Sequence, residues 1–121
     1  MDREELKAAL TNFTRSKKLY RHWSGAFHYT DGVAFLAEHA GAEWLLDHIA
    51  AHQKRVRKDR DLRDLQIWTL RTTGTLTAQI TCGRTKKDIA FREDIQLFSP
   101  FALDEVTLYL EEETLLLPSE R

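Results

Sequence analysis

His48 and His52 stand four residues apart in the run His48-Ile49-Ala50-Ala51-His52. On a helix this spacing puts two imidazoles on one face, the arrangement by which metalloprotease helices hold zinc. The hydrolytic version of the motif also carries a glutamate directly after the first histidine, as general base, and here that position is Ile49. A third ligand has to come from Asp47, Glu43, His39 or a residue beyond the helix. The competing reading is structural. His52 falls in line with Leu45, Ile49 and Val56, as a histidine at the core edge bonded to a backbone carbonyl would. Without a third ligand, spacing alone favours that second reading.

Two other groups of residues could do chemistry. Lys54, Arg55, Arg57 and Lys58, followed by Arg60 and Arg63, could lie along nucleic-acid phosphates. Asp59, Asp61 and Asp64 are interleaved with them, and opposite charges three or four apart more often stabilise a solvated helix end. Tyr20, Arg21, His22 and Trp23, with His28 and Tyr29 nearby, combine stacking surfaces with donors that could hold an unpaired base or a small aromatic ligand. Aromatics in a chain this small also fill cores, where each covers a large area. Cys82 falls on the apolar side of an alternating run, where a thiol is a small hydrophobe with a raised pKa. There is no glycine-rich phosphate loop, nucleophile elbow or persuasive carboxylate pair. The motifs therefore point away from an enzyme, and no catalytic residue or cofactor is assigned.

The elements that must position these residues follow from length and pattern. A chain of 121 residues suits one domain over 1–121. Its 42% hydrophobic and 31% charged residues indicate neither disorder nor a membrane protein. A net charge of −1 leaves nucleic-acid or membrane binding to depend on a local patch. The longest apolar run, Leu115-Leu116-Leu117, is too short to span a bilayer. The start Met-Asp-Arg-Glu-Glu-Leu reads as a charged helix start rather than a signal peptide, and one cysteine allows no internal disulfide. The expectation is a cytoplasmic protein with no membrane contact.

The first half has helical period. Asp2 caps a helix carrying Leu6, Ala9, Leu10 and Phe13. Lys17 to Tyr29 is aromatic-rich, and Phe27 and Tyr29 suit a short strand. Thr30 or Asp31 opens a second helix that Gly41 ends, and a third runs from about Ala42 to Lys58. The second half changes to period two. Leu76, Ala78, Ile80 and Cys82 alternate with polar residues, and Thr73-Gly74 predicts the hairpin to the preceding strand. Ile89, Phe91 and Ile95, then Val106, Leu108 and Leu110, continue the pattern, and Glu111-Glu112-Glu113 is a charged turn. The sum is an α+β fold: N-terminal helices packed on one face of a four- to five-stranded antiparallel meander sheet.

Tyr20-Arg21-His22-Trp23, Tyr29-Thr30-Asp31-Gly32-Val33, Leu36-Ala37-Glu38, Ala40-Gly41-Ala42 and Trp44-Leu45-Leu46-Asp47 form one set of motifs. Leu108-Tyr109-Leu110 and Leu115-Leu116-Leu117-Pro118-Ser119-Glu120 form another. Together they resemble a family of small uncharacterised bacterial proteins carried on chromosomes, plasmids and prophages, labelled plasmid-related or of unknown function. That family often has Asn-Gly or Asp-Gly in the final turn and an aromatic last residue, where this chain has Glu111 to Glu113 and Arg121. The resemblance brings no reaction or ligand; it implies an accessory protein of mobile elements. The function expected is thus a non-enzymatic, macromolecule-binding accessory protein that associates with a protein partner or with itself. A nucleic-acid-binding module built on the aromatic-basic cluster at 20–29 and the basic helix end at 54–63 is the alternative. A metal-dependent enzyme built on His48 and His52 stands behind both.

Overall fold

A computed structural model of the chain describes residues 1–14 and 18–121; Lys17, the first residue of the aromatic-rich segment, lies outside them. Asp2 caps α1 (Arg3–Thr11), its Oδ1 accepting from the Glu5 amide at 2.8 Å, and that bond holds the carboxyl below its usual pKa. A hairpin of β1 (Leu19–Arg21) and β2 (His28–Thr30) leads into α2 (Asp31–His39). Thr30 Oγ1 accepts from the Val33 amide at 3.2 Å, so Thr30 is the cap of that helix. Gly41 sits at φ +63 just past its end, a conformation that costs a glycine nothing. Then come α3 (Glu43–Val56), a 3-10 turn at Arg60–Leu62, and β3 (Leu65–Gly74), β4 (Thr77–Gly83), β5 (Ile89–Gln96), β6 (Glu105–Glu111) and β7 (Thr114–Leu116).

The α+β class is as expected, but the sheet is not a four- to five-stranded antiparallel meander. Among the described residues three α-helices accompany a seven-stranded mixed sheet in the order β1-β2-β7-β6-β3-β4-β5. Two physical reasons account for the difference. β1 and β2 are three residues each, too short to show a period, and they enter the sheet through a parallel pairing of β2 with β7. The chain between β5 and β6 also crosses back, so β6 pairs with β3 rather than with its sequence neighbour β5. The first hairpin turn differs too. β3 runs through Gly74, the turn is Thr75-Leu76, and Leu76 is half exposed there instead of facing the core.

Strand alternation divides the sheet into a covered face and an open one. Trp68 and Leu70 share a face with Ile80, Cys82, Val106 and Leu108, all buried, and α3 lays Leu45, Ile49 and Val56 into the same core. Burial pushes the Cys82 thiol up to about 12, so it is an inert hydrophobe. An amide pair locks α3 to the sheet: Gln53 Nε2 donates to Gln66 Oε1 at 2.9 Å and Gln66 Nε2 to Gln53 Oε1 at 2.8 Å. The open face presents Thr69, Arg71, Gln79, Thr81 and Arg92.

The two sets of motifs behind the family resemblance meet in space. Glu120, from the tail, is 9% exposed and lies against the N-terminus of α2. Its Oε1 accepts from Thr30 Oγ1 at 2.6 Å and from the Leu117 amide at 3.0 Å, and its Oε2 accepts from the Gly32 amide at 3.4 Å. Gly32 leaves room for this carboxylate: a Cβ there would come within 2.6 Å of Glu120 Oε1 and 2.7 Å of Leu117 Cδ1, so those side chains would have to shift. At the last residue, Arg121 places its guanidinium 4.7 Å from the centre of the Tyr109 ring.

The β6–β7 turn carries a local conflict. Its two residues, Glu112 and Glu113, both have positive φ (48 and 66), as a type I′ hairpin requires. Glutamate is poorly suited to that region, whereas asparagine and glycine enter it readily. Glu112→Asn with Glu113→Gly should therefore raise stability by roughly 1 kcal/mol, read as a higher urea midpoint at unchanged slope.

Candidate metal centre

From Phe91 to Ile95 the odd-numbered residues of β5 point toward the helices, whereas a bulge at Cys82/Gly83 turns Ile89 to the open face. Phe91 pairs with Cys82, Glu93 with Ile80 and Ile95 with Ala78, so a carboxylate occupies a register position whose neighbours are apolar. α3 crosses above it and presents His48 and His52 on one face, with ring centroids 4.6 Å apart. Glu93 Oε2 lies 3.4 Å from His52 Nε2 and 3.6 Å from His48 Nε2, and one ligand atom from each of the three residues falls within 4.8 Å of the others. The candidate third ligand beside the two histidines is thus Glu93, a residue from beyond the helix.

This geometry fits a metal ion on two counts. Donors held about 2.0–2.2 Å from a tetrahedral zinc stand about 3.3–3.5 Å from one another, and both Nε2–Oε2 separations are close to that. His48 Nε2 is also buried and, among the described residues, has no hydrogen-bond partner, only the Glu93 carboxylate at 3.6 Å, a costly state for an imidazole nitrogen that a metal bond would relieve. Two imidazoles and a carboxylate form a three-ligand set that suits zinc and leaves a coordination position open. His48 and Glu93 border a groove of about 370 Å³ whose walls include Trp44, Ile95, Phe98 and Phe101. That volume falls within the range of small-molecule sites. Phe98 is fully exposed, and Trp44 meets Phe101 edge-on at 6.2 Å.

Protonation favours binding in one respect and opposes it in another. Burial is the main force lowering the His52 pKa below its usual 6.5, with His48 and Arg55 adding to it, so the ring stays neutral and available at pH 7. Arg55 Nη2, however, donates toward His52 Nδ1 at 3.2 Å. A metal on Nε2 moves the ring proton to Nδ1, so Arg55, an exposed side chain over the Phe91 ring, must turn away.

The His52 shift has a stability consequence. The unfolded chain takes up the proton near pH 6.5 and the folded chain only below that, so this group favours unfolding as pH falls through that window. The metal-free protein should lose melting temperature from pH 7 to pH 5, and His52→Gln should flatten part of that slope. An unchanged slope in the variant would assign the effect elsewhere.

Of the expected aromatic-basic cluster, Arg21, His22, Trp23 and Tyr29 border one open pocket. His22 is buried: its Nε2 bonds Asp47 Oδ1 at 2.8 Å and its Nδ1 meets Ser24 Oγ at 2.7 Å. Trp23 is 81% exposed, its indole fixed by a 2.8 Å bond from Nε1 to Asp47 Oδ1. Tyr20 and Tyr29 stack on each other at 5.5 Å, and His28 is exposed on β2. Glu38, Glu43 and Asp47 border the same pocket as Arg21, which opposes phosphate. The basic run is divided. Arg57 donates to Gln53 Oε1 at 3.0 Å and to the Ala26 carbonyl at 2.7 Å, while Lys54 and Lys58 are exposed.

Glu93 had one signal in the sequence: a charged residue between Phe91 and Ile95 at an inward position of an alternating strand. Among the described residues no helix is long and apolar enough to cross a membrane. No curated protein and no solved structure matches the chain. The sequence model of a family of unknown function, DUF6876, matches residues 4–121. A match over nearly the whole length settles the affiliation: the chain belongs to that family of unknown function.

Proposed function

We propose that this chain is a binding protein built around a divalent metal ion of the zinc class, held by His48, His52 and Glu93. The observation that carries the reading is Glu93, which reaches both Nε2 atoms at 3.4 and 3.6 Å from a strand remote in sequence. His48 and Glu93 border the aromatic groove, so an ion held by them would offer a Lewis-acid contact to a donor group entering there. Ile49 in place of the general-base glutamate argues for binding rather than hydrolysis. Within this reading the chain remains a non-enzymatic accessory protein of mobile elements acting in the cytoplasm, expectations that gene neighbourhood and fractionation address. Elemental analysis of protein purified without chelator tests the core of it. Zinc near one equivalent, with a melting temperature that falls on chelation, is the expected result. Metal-free protein that neither takes up added zinc nor melts higher with it removes the proposal.

A further inference from the structure

A second polar site lies on the opposite, open face of the sheet, about the pairing rows of β3, β4, β5 and β6. One row runs Thr107, Thr69, Thr81, Arg92 across the four strands, and the next runs Glu105, Arg71, Gln79, Asp94. Between them is a small cavity of about 120 Å³ bordered by Thr69, Arg71, Thr81, Lys86, Arg92 and Glu105. Thr69 is 8% exposed, and its Oγ1 is buried with no hydrogen-bond partner among the described residues. A buried hydroxyl is normally partnered, and Thr69 borders this polar cavity, so a ligand seated there is a candidate acceptor once the side chain turns toward it.

The charge around the cavity gives the ligand's sign. Arg71, Lys86 and Arg92 supply three positive charges against the single carboxylate of Glu105. Arg71 and Lys86 reach Glu105 Oε1 only loosely, at 3.6 and 3.7 Å, and Arg92 has no ion pair among the described residues. The excess of about two positive charges matches a phosphate monoester, which carries about −1.5 to −2 at neutral pH. A cavity of this volume has room for one tetrahedral oxyanion, and the rest of a monoester would lie outside it.

We infer that this cavity binds the phosphate dianion of inorganic phosphate or of a monoester, with Thr69 and Thr81 donating hydroxyl bonds and Arg71, Lys86 and Arg92 supplying charge. Glu105 is the internal competitor, holding Arg71 and Lys86 until the anion replaces it. The site is independent of the metal centre and is tested on metal-free protein.

Calorimetric titration with inorganic phosphate, a nucleoside monophosphate and a short oligothymidylate, at low ionic strength, separates the sources. Saturable binding of phosphate or the monophosphate is expected. Arg92→Gln should weaken it roughly tenfold, as loss of a charge-assisted bond does. Glu105→Gln should tighten it. Thr69→Val separates ligand binding from structure: affinity should fall severalfold while melting temperature holds or rises, because an unpartnered buried hydroxyl is removed. Binding of the oligonucleotide more tightly than the monophosphate would overturn the monoester assignment. Absence of phosphate binding in the millimolar range, or wild-type affinity in both Arg92→Gln and Thr69→Val, would overturn the site.

Discussion

Glu120→Ala is expected to lower stability by about 3–5 kcal/mol, because it leaves several buried donors without an acceptor at once. The Thr30 hydroxyl and the Leu117 and Gly32 amides all bond to that carboxylate, at 2.6, 3.0 and 3.4 Å. Each unsatisfied buried donor costs about 1–3 kcal/mol, and only part of that is recovered if water enters the space left behind. In a chain of this size the loss corresponds to roughly 10–20 °C in melting temperature. Glu120→Gln keeps one oxygen to accept from Thr30 and Leu117, so it should lose much less. Equal, small effects for both variants would mean that the tail does not hold α2 in place. The consequence reaches the candidate metal centre, because α2 and α3 are joined through Gly41 and α3 carries both histidines.

The second large effect concerns metal affinity. Loss of a supporting partner outside the ligand set costs about tenfold to a hundredfold in affinity, so loss of a ligand should exceed that. Glu93→Ala is expected to weaken zinc binding by at least about a hundredfold, with little change in metal-free stability because the side chain is partly exposed. His48→Gln should act similarly. Arg55→Ala should go the other way and tighten binding, since it removes the donor 3.2 Å from His52 Nδ1. Zinc affinity unaltered in all three variants would place the ion elsewhere.

Helices were the most legible part of the sequence. Thr30 as a cap and Gly41 as a terminator act within a few residues, so local patterns suffice to find them. Alternation likewise revealed that Ile80 and Cys82 face the core. What stayed hidden was tertiary. The parallel pairing of β2 with β7 joins segments some 86 residues apart, and His28 faces Thr114 there because the helical layer brings the first hairpin round. Two of the three residues of the candidate metal centre were visible, as His48 and His52 share one helix and their spacing is a local property. Glu93 was not, since its distance from the histidines depends on how α3 crosses β5. The buried Gln53–Gln66 pair shows the same limit, for either residue alone reads as a surface glutamine. Thr69 reads as an ordinary strand threonine until its buried hydroxyl is seen to lack a partner among the described residues.

Calorimetric titration of chelator-treated wild-type protein with zinc at neutral pH tests the metal reading most directly. The expected result is one ion per chain with a dissociation constant of about 1 µM or tighter, equivalent to about −8 kcal/mol. Saturation at a hundred times that constant should add about 2.7 kcal/mol of stability. A featureless titration, or one in which Glu93→Ala behaves like the wild type, would contradict the assignment of His48, His52 and Glu93 as ligands.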